Sequence, residues 1–425
     1  MNLEQAIANL HSGDFHTRWE TVKPIESQGA AAIAPLLHLL QTEPTDWELH
    51  WFIARLLGNI GHPSTIPTLI TLLTHSIHTD VTAMAAIALT HFGELAIAPL
   101  IDTLAHTPTR LLSVQALAQI RHPDVVAPLI QVVQDPVAPI RAVAIEALSH
   151  FHHDTAIASL LLEALQDQDA TVRQAAVMGL GFQAKSAPTA NHWVPQIQPL
   201  LWDLYPKVGQ QAAIALGRIG TEAAIAALCH VLQSPHTPLG LQAEAVRALA
   251  RIGTISALEG LQAYLTSPNP TSTDSTSTKP ASDQSNDQAA VILDFALPDS
   301  SPSPAVDSSS LGHLEAIAVL GRVEGHEAQV KATEILLERL QTHDEQKIRE
   351  RQAIALSLGQ LEQLAALEPL IHLLADRQDS VRFHAIAALK QLAPELSKQR
   401  LEQFAQDSEL EPALQSGIQI ALAEW

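Results

Sequence analysis

The stretch Ala54–Gly61 (ARLLGNIG), followed closely by Ile66–Ile70 (IPTLI), decides the fold, because near copies of both recur along most of the chain. One copy is Ala86–Gly93 (AIALTHFG) with Ile97–Ile101 (IAPLI). Recurrence at a fixed spacing means that one supersecondary unit was copied, and such units bury their apolar faces only by stacking on their neighbours. The sequence therefore predicts a repeat protein, an architecture more typical of a binding surface than of an enzyme.

The prolines of the second segment measure the period of the repeat. Pro35, Pro67, Pro99 and Pro128 follow one another at intervals of 32, 32 and 29 residues. Both segments carry small and apolar residues three and four positions apart, which is the spacing of one helical face, and neither alternates apolar with polar residues as a strand would. Each unit is thus predicted to be a helix, a tight turn and a second helix. Glycine ends the first helix, and proline lies in or just past the first turn of the second.

Two of the helix starts carry the motif of a known family. Asp169–Ala176 (DATVRQAA) and Asp379–Ala385 (DSVRFHA) resemble the Asp-x-x-Val-Arg-x-x-Ala opening of HEAT-like repeats. The short units are also similar to the repeats of cyanobacterial phycobilin lyases of the E/F type. The resemblance covers roughly residues 14–407 outside one insertion. It implies an all-α fold: an α-solenoid, or superhelix, of about eleven helix-turn-helix HEAT-like repeats. In such repeats the aspartate caps the first helix, and the arginine links neighbouring units through carboxylates and turn carbonyls.

One segment interrupts the period. Residues 266–310 are rich in Ser, Thr, Pro and Asp and carry too little apolar surface to offset the entropy of ordering, so we predict a disordered insertion. It separates an N-terminal solenoid at 1–265 from C-terminal repeats and a capping helix at 311–425. Within it, Ile292, Leu293 and Phe295 belong to an apolar island. The island is a candidate for docking on a partner or in the solenoid's own groove, and the alternative is a remnant or a transient helix.

Charge narrows the range of partners. The 425 residues include 24 Lys and Arg against 45 Asp and Glu, which gives a net charge of −21, and no basic run is visible. Nucleic acid is therefore not expected as a partner, and an acidic membrane surface would repel the chain. Acidic solenoids suit basic protein partners, although acidity also serves solubility. No apolar stretch is long enough for direct insertion into a membrane, and no secretion signal is visible at Met1–Ala6. We accordingly expect a cytoplasmic protein, peripheral to a thylakoid membrane only through a partner.

Patterns that would carry catalysis or bind a metal are scarce. The sequence has no Gly-rich phosphate loop, His-Glu-x-x-His motif, paired cysteines or Gly-x-Ser-x-Gly elbow. The single cysteine, Cys229, precedes His230, but consecutive residues point about 100° apart on a helix, so a buried thiol is predicted. Of the 21 histidines, three cluster in His150–Asp154, which we interpret as a solvated turn rather than a metal site. No catalytic residue, metal or cofactor is assigned.

Two features are candidates for partner recognition, and the first is aromatic. Trp47, Trp51 and Arg55 follow one another at four-residue spacing and form one helical stripe in a chain with only 4% aromatic residues. Trp and Arg dominate the energetics of interfaces, but a stripe at this spacing equally suits packing between repeats.

The second feature is a charged row behind the turn Pro235–Pro238, whose two prolines are expected to lengthen that turn. Glu244, Arg247 and Arg251 follow it at helical spacing. They form either a binding ridge or an ordinary exposed face with intrahelical ion pairs. Arg218 lies one unit earlier and is expected beside Arg251.

Three classes of function remain open. The absence of catalytic motifs favours a non-enzymatic protein-binding scaffold or assembly factor, linked to the photosynthetic or phycobilisome apparatus of a cyanobacterium. The resemblance to E/F-type lyases implies a second class, a bilin lyase, lyase subunit or chaperone that attaches a tetrapyrrole to phycobiliprotein, with the bilin as its cofactor. The abundance of histidine and the single cysteine point to a third, a carrier or chaperone of metal or iron-sulfur centres.

Overall fold

A computed structural model describes residues 1–151, 155–184, 187, 190–267, 308–341, 347–407 and 410–425. These residues form twenty-four α-helices and contain no strand. They divide into two compact units, Met1–Ile219 and Gly220–Trp425. Most of the predicted insertion, including Ile292, Leu293 and Phe295, lies outside the described residues, as do 152–154 of the histidine cluster. The division at 1–265 and 311–425 therefore remains a prediction.

The helices of the first unit follow one another as α1 (Leu3–Ser12), α2 (Phe15–Glu26), α3 (Ile33–Thr42), α4 (Trp47–Ile60), α5 (Ile66–His75), α6 (Thr79–Thr90), α7 (Glu94–Thr103), α8 (Arg110–Ile120), α9 (Val126–Val132), α10 (Ala138–Leu148), α11 (Thr155–Ala164), α12 (Ala170–Gln183), α13 (Val194–Ile197) and α14 (Pro206–Ile219). Those of the second unit are α15 (Glu222–Gln233), α16 (Leu239–Ile252), α17 (Ile255–Thr266), α18 (Ser308–Leu320), α19 (His326–Gln341), α20 (Ile348–Gln360), α21 (Leu367–His372), α22 (Asp379–Leu392), α23 (Pro394–Ala405) and α24 (Pro412–Ala423).

Within each unit the helices form two layers. In the first unit the even-numbered helices α2 to α14 pack each on the next, and odd-numbered helices such as α5 and α7 pack on one another behind them. In the second unit α16, α18, α20 and α22 form one layer, and α15, α17 and α19 form the other. This arrangement is the stacking of helix pairs that defines an α-solenoid. The predicted fold class is confirmed, and the terminal helix α1 is an addition that the repeat pattern did not contain.

Helix ends follow the predicted capping chemistry. Gly61 and Gly253 end α4 and α16 in the left-handed conformation, with φ of 65° and 64°. At the equivalent point after α8 stands Arg121, which adopts φ of 50° without being glycine. Pro67 is the second residue of α5, where its missing amide hydrogen costs no intrahelical bond.

Small residues let the even-numbered helices approach one another closely. A Cβ added at Gly58 of α4 would lie 2.6 Å from the Ala88 Cβ of α6, and one at Gly181 of α12 would lie 3.1 Å from the Ala215 Cβ of α14. These distances leave no room for a side chain. The column of alanine and glycine in the sequence is thus explained by close packing between consecutive repeats.

Two arginines link successive repeats by the same set of hydrogen bonds, which we call the arginine ladder. Arg173 donates from Nε and Nη2 to the two carboxylate oxygens of Asp203, at 2.7 and 2.8 Å, and from Nη1 to the Asp167 carbonyl at 2.8 Å. Arg141 makes the same three bonds to the Asp167 carboxylate and the Asp135 carbonyl. The predicted structural role of the arginine, which joins a carboxylate and a turn carbonyl, is confirmed.

The aspartates of the motif have two separate roles. Asp169 caps α12, because its side chain accepts the Thr171 amide at 2.8 Å, whereas the ladder bonds go to Asp167, two residues earlier. The cap expected at Asp379 is wrong. Gln378 occupies the N-cap position of α22, and Asp379 instead pairs with Arg382 on the same helix.

We expect Arg173→Met to lower the free energy of unfolding by about 3 kcal/mol at neutral pH, since it leaves the buried Asp203 carboxylate without its partner. The hydrogen bonds from Arg173 hold the pKa of Asp203 below its usual value. A lowered pKa contributes stability above the unfolded-state pKa of about 3.9 and loses it as the pH falls through the folded-state value. The difference between wild type and variant in urea unfolding should therefore shrink below about pH 4. An equal difference at pH 7 and pH 3 would contradict this account.

We expect Arg121→Gly to raise the free energy of unfolding by about 0.5–1 kcal/mol, because glycine enters the left-handed region without the steric cost that a Cβ imposes. Arg121→Ala removes the same exposed charge and keeps the Cβ, so it serves as the matched control. Thermal unfolding monitored by circular dichroism measures both, and a gain of equal size in the alanine variant would show that charge, not conformation, is responsible.

Candidate protein-binding surface

Helices α2 and α4 bring together four aromatic side chains, which we call the aromatic cluster: Phe15, Trp19, Trp51 and Phe52. Phe52 is fully buried and forms its base, with ring centroids 5.5 Å from Phe15 and 5.6 Å from Trp19. Trp19 and Trp51 meet edge to face with centroids 6.0 Å apart. Above the buried base, Phe15 is 53% exposed and Trp19 is 37% exposed. The cluster is therefore anchored in the core and open to solvent.

Arg55 completes this surface. Its guanidinium carbon lies 4.8 Å from the centroid of the Trp19 ring and 6.0 Å from that of Trp51, within the range of a cation–π interaction. Its Nε is buried and has no hydrogen-bond partner among the described residues. No described carboxylate lies within ion-pair distance of the guanidinium. Arg55 is thus a half-buried cation held by aromatic rings and not by a counter-ion.

Arg18, one residue before Trp19, has a contrasting environment. It is buried and donates to Asp46 at 2.6 Å and to Glu48 at 3.3 Å, both at the start of α4. Burial acts to raise the pKa of Asp46, but the hydrogen bonds from Arg18 and from the Leu49 amide hold that pKa below its usual value. Arg18 therefore fixes α2 against α4, and the aromatic cluster rests on that fixed pair.

The predicted stripe is divided by the structure. Trp51 and Arg55 belong to the surface shared with α2, whereas the Trp47 ring stacks on His78 at the start of α6, with centroids 5.7 Å apart and 27° between the planes. Trp47 remains 43% exposed. All three side chains pack between repeats and are also accessible to solvent. Packing between repeats therefore does not prevent them from contacting a partner. Their role in binding stays a prediction.

Phe15 and Trp19 were missed as site residues by the sequence reasoning. A signal was present, because Phe15, Trp19 and Lys23 precede Trp47, Trp51 and Arg55 by 32 residues each, which is the repeat period. Two aromatic residues and a cation therefore occur twice in equivalent positions. Comparing equivalent positions of neighbouring repeats would have revealed the pair of stripes.

The other predicted recognition residues lie elsewhere. Arg247 forms ion pairs with Glu244 on α16 and with Glu315 on α18, both at 2.7 Å, while Arg251 is exposed. Arg218 belongs to the first unit, where its guanidinium carbon lies 4.4 Å from the centroid of the Phe182 ring.

The turn before α16 is not enlarged. It spans 234–238 and has the same length as the turns at 133–137 and 165–169, so the predicted lengthening is wrong. Thr237 is buried there and donates from Oγ1 to the Val231 carbonyl at 2.7 Å, which folds the turn back on α15 despite its two prolines.

Two other side-chain environments bear on chemistry. Burial raises the pKa of the Cys229 thiol, which disfavours the thiolate that a nucleophile needs. Glu94, His122 and Asp124 carry potential metal-ligand atoms within 4.8 Å of one another. The closeness of His122 and Asp124 has a local cause, since His122 Nδ1 accepts the Asp124 amide as the cap of a short 3₁₀ helix. Neither environment points to a reaction.

The sequence matches the profile of HEAT repeats over residues 3–90, 33–112, 97–181, 158–239, 194–277 and 333–423. The chain belongs to the HEAT-repeat family. None of the described helices of this HEAT-repeat protein is long and apolar enough to cross a lipid bilayer. No curated protein matches its sequence.

One similar solved structure is that of Kap95p, whose binding induces the switch loops of RanGDP to adopt the GTP-bound conformation. It matches at 12% identity and a TM-score of 0.55, over 99% of this chain and 61% of that one. An engineered protein matches over 100% of this chain and 98% of its own, at 18% identity and a TM-score of 0.37. The complex of CpcE and CpcF of phycocyanin lyase from Nostoc sp. PCC7120 matches at 22% identity and a TM-score of 0.30, over 54% of this chain and 92% of that one. At these identities the likeness concerns the fold alone.

The two neighbouring arginines give a matched test of the surface. We expect Arg18→Met to lower the free energy of unfolding by about 2 kcal/mol, because it removes the buried guanidinium that hydrogen-bonds two carboxylates, each about one-third exposed. Arg55→Met should cost about 1 kcal/mol or less, since it removes only a cation–π contact. Urea unfolding followed by far-ultraviolet circular dichroism compares them, and equal losses would mean that Arg55 is as structural as Arg18.

Proposed function

We propose that this HEAT-repeat protein is a non-enzymatic scaffold that binds a protein partner through its first unit, with the aromatic cluster, Arg55 and Trp47 as the contact surface. The observation that carries the proposal is the position of Arg55, which lies over Trp19 and Trp51 and has no counter-ion among the described residues. Trp and Arg in partly desolvated positions are the residue types that contribute most to protein interfaces.

The mechanical support of the surface favours binding. Phe52 anchors the rings in the core, and the ion pairs of Arg18 hold the two helices together. Side chains that are already ordered lose less entropy on association than mobile ones do. A partner would thus meet a surface whose shape is set before it arrives.

The finer predictions made from the sequence depend on the resemblance of the repeats. They include the link to a photosynthetic or phycobilisome apparatus, the cytoplasmic or thylakoid-peripheral location, and the alternatives of a bilin lyase and a metal or iron-sulfur carrier. No described residue favours one of the alternatives over the scaffold. They stay predictions, and the absorption spectrum after addition of a bilin and metal analysis of the purified protein address them directly.

We expect Trp51→Ala combined with Arg55→Met to reduce partner capture from a photosynthetic cell extract at least about tenfold, because the pair removes a central aromatic anchor and its cation. Quantitative mass spectrometry of proteins retained by the immobilised chain measures the effect. Trp202→Ala is the matched control, since Trp202 is a 44% exposed tryptophan of the same unit outside the cluster. Identical capture by the wild type and the double variant would reject the proposed surface.

A further inference from the structure

The exposed face of α2, α4 and α6 carries a different charge from the molecule as a whole. Phe15, Trp19 and Lys23 on α2 occupy the same repeat positions as Trp47, Trp51 and Arg55 on α4 and as Thr79, Ala83 and Ile87 on α6. None of these nine positions holds an acidic residue, although the chain has 45 of them. Two hold cations, and Ile87 adds apolar surface at 46% exposure.

Several acidic residues near this face are engaged, whereas Asp80 beside Thr79 is exposed and makes no ion pair with a described residue. Asp46 and Glu48 pair with Arg18 at the start of α4. Glu20 lies 3.4 Å from His16, and Glu26 accepts a hydrogen bond from Asn59. Lys23 and Arg55 make no ion pair with any residue that the structure describes. The nine stripe positions therefore carry two cations without an ion-pair partner among the described residues, and no carboxylate.

The environment of Arg55 suits one kind of anion, a carboxylate. A guanidinium presents its donors in a planar fork that fits a carboxylate. The guanidinium of Arg55 lies over the ring of Trp19. Because its Nε is buried without a hydrogen bond, the cation has lost part of its hydration and has gained no anion in return. A carboxylate that reached the remaining donors would form a charge-assisted hydrogen bond beside rings that exclude water.

We propose that the occupant of this surface is an acidic peptide segment of the partner, in which carboxylates alternate with apolar or aromatic side chains. One carboxylate binds Arg55 and a second binds Lys23 on one edge of a peptide that lies flat across the helices, while the alternate apolar side chains project from its other edge and pack on Trp19 and Trp51. In an extended peptide, residues two apart project on one side about 7 Å from each other, a separation that the long Lys and Arg side chains can span from neighbouring helices. This inference depends on the proposed function, because it names the chemistry of that partner.

The direct test uses fluorescence anisotropy with short labelled peptides and the full-length protein. The probe peptide alternates glutamate with phenylalanine, one control peptide replaces each glutamate by lysine, and another replaces each phenylalanine by serine. We expect the probe to bind more tightly than both controls, and we expect its affinity to fall as the ionic strength rises. Equal or tighter binding of the lysine peptide would overturn the proposal, as would tighter binding of a labelled single-stranded oligonucleotide.

Variants assign the binding to named residues. Arg55→Met should weaken binding of the probe about tenfold, which is the loss expected for one charge-assisted hydrogen bond. Lys23→Met should weaken it less because Lys23 is more exposed, and Trp202→Ala should leave it unchanged. Circular dichroism and urea unfolding verify that each variant is folded, so a loss of binding is attributed to the surface. Unchanged affinity in Arg55→Met would overturn the proposal.

The two proposals fail in different ways. The double variant at Trp51 and Arg55 could lose the partner from the extract while the glutamate peptide does not bind the wild-type protein. In that case the proposed scaffold function is supported and the proposal of an acidic peptide is wrong. If the double variant also keeps its partner, the surface itself is wrong.

Discussion

Arginine side chains that reach from one repeat into the next hold the helices α10, α12 and α14 of the first unit in register. Arg141 and Arg173 each bind both oxygens of an aspartate in the following turn and a carbonyl of their own turn. A helix pair cannot bury its apolar face alone, so the stack forms only when neighbours meet at a defined spacing. Three directed bonds from a planar guanidinium define that spacing, and the close approach of Gly181 to Ala215 occurs on the two helices that Arg173 links.

The candidate surface depends on the same principle. Arg18 fixes α2 to α4 through Asp46 and Glu48, and the next residue, Trp19, stands exposed on the supported pair. Arg55 shows the opposite use of the same residue type, since it lies against aromatic rings and has no acidic partner among the described residues. The paired Arg18 and the Arg55 that we propose for recognition therefore differ by their neighbours.

Net charge describes this molecule poorly at the scale of a binding site. The chain has a net charge of −21. Interactions between exposed charges are nevertheless largely screened beyond about 8 Å at physiological ionic strength. A peptide that lies on the aromatic cluster would thus respond mainly to Lys23 and Arg55. Asp46 and Glu48 both pair with Arg18, whereas Arg55 lies against the rings without an ion-pair partner among the described residues.

The sequence by itself determined the repeats, the helical character of both segments, the glycine and proline positions, and the Trp47, Trp51 and Arg55 stripe, because helical periodicity and capping are local properties of a chain. Tertiary structure decided which stripes meet. Phe15 and Trp19 join Trp51 only because residues one period apart become neighbours when helices stack. Stacking also decided that Arg18 is paired while Arg55 is not, since a counter-ion on another helix is brought within reach by packing and not by spacing along the chain.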